Sequence, residues 1–146
     1  MRVILQRVSR ASVCVDNETI GSIGFGLVLL IGIHTDDTDE NMRFVMDKCA
    51  HLRIFSDEAG KMNHSLLDTG GEILAVSQFT LYGDTRKGRR PGFDQAARPD
   101  MAEPMYERAI ERLREHGLHV ATGRFGANMQ VDIVNDGPVT LIIEHP

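Results

Sequence analysis

This chain has little of what most hydrolytic and metal sites are built from. Its two cysteines, Cys14 and Cys49, lie far apart and make no CxxC spacing. Each reads as a small apolar core residue, so neither a disulfide nor a thiolate metal site is expected. The six histidines form no HxxxH or HExxH pattern, and nothing points to zinc or to any cofactor. A serine triad would lack its usual GxSxG elbow. The longest apolar run, Leu27 to Ile33, holds seven residues, against roughly 20 for a helix that crosses a bilayer. No charged N-terminal region followed by an apolar stretch and a small-residue cleavage site is present, so a cytoplasmic location is expected, without a membrane partner. Repeats, low-complexity tracts and inter-domain linkers are missing as well.

What remains is an ordinary globular composition. The chain has 146 residues, 42% hydrophobic and 25% charged, which fits one domain over 1–146. A formal charge of −5 argues against a protein that coats nucleic acid indiscriminately. Charge is uneven, however: Arg86, Lys87, Arg89 and Arg90 fall within five residues of a Gly-containing loop. That stretch is either a solvated basic loop or a local phosphate contact, and composition does not decide between them.

Arg2 to Val8 and Ala11 to Val15 alternate apolar and polar residues as half-buried strands do. Asp16-Asn17-Glu18 then turns the chain into Thr19-Ile20-Gly21. Leu27 to Ile33 is apolar on both faces and reads as a central strand. Thr38 and Asp39 cap a helix carrying Met42, Val45, Met46, Cys49 and Leu52 at helical spacing. Arg53 to Ser56 and Ile73 to Ser77 read as strands, and residues 82 to 98 as a long loop. Asp100 with Glu103 looks like a capping box for a helix that reaches Glu115 or His116, with Gly117 as its stop. Val120 to Thr122, Met129 to Asn135 and Val139 to Glu144 supply the last strands. The fold class expected is α+β, with a curled or barrel-like, mostly antiparallel sheet and two main helices.

Two segments stand apart. Ser77-Gln78-Phe79-Thr80-Leu81 follows the apolar run before it, and its plain reading is a strand with Phe79 and Leu81 inward. Asn135-Asp136-Gly137-Pro138-Val139-Thr140 reads plainly as a turn between two strands. Neither holds a histidine, a cysteine or paired carboxylates. Thr80 has no activating base near it in sequence, so backbone amides at Phe79 and Thr80 are the better candidates for oxyanion support. A cis Gly137-Pro138 bond would hold its flanking carbonyls rigidly.

Taken together, the two segments resemble the D-aminoacyl-tRNA deacylases, whose signatures are SQFTL and NxGPVT. The resemblance runs from end to end. It includes Gln6-Arg7-Val8 with Ala11-Ser12-Val13, Arg53-Ile54-Phe55-Ser56 with Gly60-Lys61-Met62-Asn63, and Gly123 to Met129 against GxFxAxM. Gly92, in Arg90-Pro91-Gly92-Phe93, departs from the serine frequent in the family.

The resemblance implies a homodimer that hydrolyses the ester joining a D-amino acid, or glycine, to the 3′ end of tRNA. It implies that Gly137 and Pro138 enter the partner's site as a chirality filter braced by Arg7, and that catalysis involves Phe79 and Thr80. Ser77, Gln78, Phe125 and Met129 are the expected substrate contacts, with Phe125 as the adenine platform and the Arg86–Arg90 loop on acceptor-stem phosphates. Either Thr80 attacks the ester, or the ribose 2′-hydroxyl assists a water while the two amides hold the oxyanion. The competing readings are a tRNA 3′-end binding or editing module without hydrolysis, a cousin deacylase whose first signature begins Pro-Gln, and a general esterase.

Overall fold

One long strand, β1 (Arg2–Val15), organises the sheet because its two halves serve different neighbours. A computed structural model describes residues 1–145 of the chain. The first half of β1 pairs antiparallel with β3 (Gly26–Gly32), and the second half with β2 (Glu18–Ile23). The β1–β2 turn is tight, with Asp16 and Asn17 both at positive φ, a conformation that short polar side chains tolerate. Along the other edge of β1 runs β8 (Gln130–Glu144), antiparallel from Cys14↔Gln130 to Arg2↔Glu144.

The remaining pairings of this sheet are parallel: β3 with β6 (Glu72–Ser77), then β6 with β7 (Val120–Thr122). The α+β class and the barrel-like curl agree with expectation, although alternation gave no sign of these parallel pairings. Curl brings β2 back over β7, where a side-chain carbon at Gly21 would lie 2.7 Å from the Thr122 carbonyl oxygen.

Both faces of β3 are covered, which is why its sequence is apolar throughout. Leu27, Leu29 and Ile31 join the cluster beneath the helices, whereas Val28 packs inside the curl with Val8, Leu74 and Val76. Two main helices cover the first cluster: α1 (Asp39–His51) and, after the one-turn α2 (Leu66–Thr69), α3 (Pro99–Glu115). Thr38 caps α1 as expected. The expected capping box at Asp100 is not the start of α3; Pro99 opens that helix after Arg98, its fixed φ suiting the first helical position. Gly117, at φ +84, ends it. The strand expected over Arg53 to Ser56 shrinks to β4 (Phe55–Ser56), paired with β5 (Met62–His64). Both cysteines are free, Cys49 buried and Cys14, against expectation, only half-buried beside Thr19.

The two helices are also pinned by charge. Arg112 grips Asp47 through both carboxylate oxygens at 2.8 Å, and His116 Nε2 lies 2.8 Å from Oδ1. The Arg112 hydrogen bond, against some desolvation, lowers the Asp47 carboxyl from an ordinary 3.8 to about 2. A depressed folded pKa stabilises above the unfolded value and is lost as pH falls through the folded one. Asp47→Asn is therefore expected to be less stable than the parent above about pH 4 and to converge on it towards pH 2. Acid unfolding followed by circular dichroism checks this, and an offset that persists at pH 2 rejects it.

Candidate active site

Strand β6 stops at Ser77 because the chain turns onto the end of β3. Gln78 sits at φ −145 and ψ 76, and its N–H donates to the Ile31 carbonyl at 2.8 Å. A 3-10 turn follows over Phe79–Tyr82. Its first bond runs from the Leu81 N–H to the Gln78 carbonyl at 3.2 Å, so the Phe79 and Thr80 amides precede any intra-turn acceptor. The expected strand with Phe79 inward is thus corrected: Phe79 is 57% exposed, and its ring meets Phe93 edge-on at 5.1 Å. Gly32 makes the turn possible. A Cβ there would stand 3.0 Å from Leu81 Cβ and 3.1 Å from the Gln78 carbonyl oxygen.

Two hollows flank this segment. One, of about 360 Å³, is mostly apolar; Ile31, Phe93, Ala97 and Phe125 line it together with Gln78 and Phe79. The other, of about 220 Å³, lies between Ser77–Phe79 and the stretch holding Ala127 and Met129. Tyr106 fixes the wall between strand and helix by donating its hydroxyl to the Ala75 carbonyl at 2.8 Å, and its ring backs Phe125 at 6.0 Å. Burial pushes the Tyr106 phenol up to about 12, so it stays a donor. Among the described residues, no titratable side chain lines either hollow. The Thr80 hydroxyl meets, among the described residues, only the Gln78 side-chain amide. A general base for Thr80 is therefore not among its neighbours.

The second segment is not the turn of a hairpin. Strand β8 continues straight through it, because Asn135 pairs with Val8 and Thr140 with Gln6. One β1 residue, Arg7, thus faces Asp136 to Val139, and those residues are extruded from the ladder. The Asn135 side chain ties the neck, donating to Thr140 Oγ1 at 2.8 Å and accepting the Val139 N–H at 3.0 Å. Arg7 holds the projection from below: Nε donates to the Asp136 carbonyl at 3.1 Å, and Nη1 to the Ile54 carbonyl at 2.7 Å. At the tip, Gly137 has φ +127 and its bond to Pro138 is cis, with both residues exposed.

The chain therefore brings together Ser77, Gln78, Phe79, Phe125 and Met129, and separately Arg7, Gly137 and Pro138. It does not bring the two groups into one hollow: no residue from 135 to 140 lines either one. The basic loop sits beyond Phe93, with Arg86 committed to Asp84 through two bonds of 2.9 and 2.7 Å. Lys87, Arg89 and Arg90 are exposed and have no ion-pair partner among the described residues. Phe93 lay outside the site expected from the sequence, and Asn135 and Thr140 lay within its second signature without a role. An aromatic inside a polar loop was the available signal for Phe93; nothing in the sequence marked Asn135 and Thr140 as a neck.

Known proteins resemble this arrangement over the whole chain. The family described as D-Tyr-tRNA(Tyr) deacylase matches residues 4–144. D-aminoacyl-tRNA deacylases of Geobacillus sp. (strain WCH70) and Halalkalibacterium halodurans are 62% and 60% identical, each over 99% of this chain and 95% and 99% of their own lengths. A solved structure of a c-Myc DNA unwinding element binding protein superposes with a TM-score of 0.94 at 44% identity, covering 100% of this chain and 99% of that one. A probable eukaryotic D-amino acid tRNA deacylase, at 22% identity and TM-score 0.87, shares the fold over 99% of this chain and 98% of its own. With both signatures, the end-to-end match and the fold in agreement, the chain belongs to the D-Tyr-tRNA(Tyr) deacylase family.

Proposed function

We propose that this chain hydrolyses the ester of D-aminoacyl-tRNA, releasing tRNA and the free D-amino acid, and that it accepts glycyl-tRNA as well. The observation that carries the reading is the pair of amides at Phe79 and Thr80, unpaired among the described residues, beside a mostly apolar hollow that none of those residues lines with a titratable side chain. Such donors can hold the oxyanion that forms when a water adds to the ester carbonyl. Since Thr80 has no base, the 2′-hydroxyl of the terminal ribose assists the water, and the 3′-oxygen leaves with a proton. The apolar hollow takes the terminal adenosine against Phe125, a contact worth about 1–3 kcal/mol per stacked base. Ser77 and Gln78 bond the nucleoside, and Met129 lines the neighbouring hollow.

Specificity comes from a second copy of the chain. Gly137 and Pro138 project from β8, braced by Arg7, and are aimed at the partner's hollow in a homodimer. Their carbonyls exclude an L side chain by clash, whereas a D side chain points away and glycine has nothing to clash. Lys87, Arg89 and Arg90 meet acceptor-stem phosphates beyond the hollow. Action on tRNA places the protein in the cytoplasm.

One tRNA charged with D-tyrosine, L-tyrosine or glycine tests the reading. The D-ester and glycyl ester are expected to turn over at least about 100-fold faster than the L-ester, a difference of roughly 2.7 kcal/mol in the barrier. Comparable L-ester hydrolysis rejects the filter. No turnover of any ester favours a tRNA-end binding role without chemistry. Thr80→Ala is expected to keep turnover within a few fold, and abolished turnover with intact binding would restore Thr80 as the nucleophile.

A further inference from the structure

Arg2 is used by nothing so far, yet its side chain joins the two signature-bearing elements. It stands in one rung of the sheet, with Gly32 of β3 on one side and Glu144 of β8 on the other. The missing side chain at Gly32 lets the 3-10 turn lie over that rung. From it the guanidinium makes three separate contacts. Nη1 donates to the Leu81 carbonyl at 2.6 Å, in the turn that carries Phe79 and Thr80. Its Cζ sits over the Tyr82 ring, 4.9 Å from the centroid. Nε pairs with the Glu144 carboxylate at the end of the strand that carries Gly137 and Pro138.

We infer that Arg2 is a positioning residue for hydrolysis: it clasps the Leu81 carbonyl of the 3-10 turn against β8 and so fixes where the Phe79 and Thr80 amides point. A cation suits the carbonyl end of a helical turn, and a planar fork can bond two partners while stacking on a ring. Lysine offers a point charge in place of the planar fork, so it does not reproduce two bonds from separate nitrogens together with the contact to the ring. The side chain is 37% exposed and Glu144 49%, so neither is required to fill the core. The effect on rate follows from geometry. Oxyanion donors act only when aimed at the developing charge, and a displacement of about 1 Å costs as much as 100-fold.

The inference rests on the deacylase reading for its effect on rate, but not for its effect on the turn. Two measurements on Arg2→Met, Arg2→Lys and Glu144→Gln keep these apart. Amide hydrogen exchange over residues 79–83 is expected to speed up at least about 10-fold in Arg2→Met and Arg2→Lys, and less in Glu144→Gln, which keeps the Leu81 and Tyr82 contacts. Steady-state kinetics on D-tyrosyl-tRNA are expected to show kcat reduced about 10- to 100-fold in both Arg2 variants with KM within about 3-fold, since the affected interaction forms only in the transition state. Unchanged exchange in Arg2→Met overturns the clasp whatever the activity. Faster exchange with unchanged kcat overturns its role in hydrolysis, as does full rescue by lysine. If the parent enzyme hydrolyses no ester, the deacylase reading fails on its own, and the exchange result still decides the clasp.

Discussion

Gly137→Ala is expected to collapse the preference for D- over L-tyrosyl-tRNA by about 100-fold in the ratio of kcat/KM, with most of the change coming from a faster L-reaction once the clash is relieved. A Cβ at this position would lie 2.9 Å from Val139 Cγ2 and 3.0 Å from Arg7 Nη2, on a backbone at φ +127 that L side chains rarely adopt. The backbone must rotate, or Arg7 must leave. Either way the Asp136 carbonyl loses its brace, and the projection no longer presents fixed carbonyls to the substrate. Hydrolysis of both esters by the variant and the parent, with melting temperatures alongside, checks the prediction. An unchanged D/L ratio in a folded variant removes the filter from this segment. Because Gly137 and Pro138 line neither hollow beside Phe79 in their own chain, the same result bears on the dimer: a protein that sediments at its single-chain mass of 16.2 kDa while discriminating fully would contradict a shared site.

The largest loss of stability is expected from Gly26→Ala, at more than about 4 kcal/mol, a size that marks a specific structural break rather than an ordinary surface effect. Gly26 opens the parallel pairing of β3 with β6, opposite Glu72. A Cβ there would fall 1.8 Å from the Glu72 carbonyl oxygen and 2.7 Å from its backbone nitrogen, so two backbones would have to separate. No side-chain rotation relieves that overlap. The melting temperature should drop by roughly 10 °C or more for a chain of this size. Gly92→Ala is the matched control, because nothing lies within 4 Å of a Cβ at that position. It is expected to stay within about 0.5 kcal/mol of the parent. Equal melting temperatures for the two variants would mean that β3 and β6 tolerate a wider spacing than the structure describes.

Legibility in the sequence followed the range of the interactions involved. Helix α1 could be read because its cap, its acidic first turn and its apolar spacing are all local to Thr38 through Cys49. Strand β3 could be read as central because residues buried on both faces must be apolar in a row. The start of α3 was misjudged by two residues, with the cap at Arg98 and not Asp100: a proline at the first helical position and an acidic pair just inside it give competing local signals. Ser77 to Leu81 failed as a strand for a different reason. Its alternation is genuine, but the carbonyl of Ile31 and the empty place at Gly32 capture Gln78 and turn the chain, and both lie far away in sequence. The hairpin expected at Asn135 to Thr140 failed in the same way. Asn, Asp, Gly and Pro favour a reversal, yet the registers of Val8 and Gln6 with β8 on either side keep the strand running forward.

By itself the sequence determined the composition of the site: neutral hydroxyls, amides and a Gly-Pro pair, with no histidine or cysteine in either signature. Those identities limit the chemistry whatever the fold, because a side chain that is not there cannot act as base, nucleophile or ligand. Only the tertiary structure decided what the residues do with one another. It turned Phe79 and Thr80 so that their amides face no carbonyl of their own turn, extruded Gly137 and Pro138 opposite Arg7, and kept the two segments in separate places on one chain. Those outcomes depend on register and on close approach between strands distant in sequence, and pattern within a single segment carries no record of either.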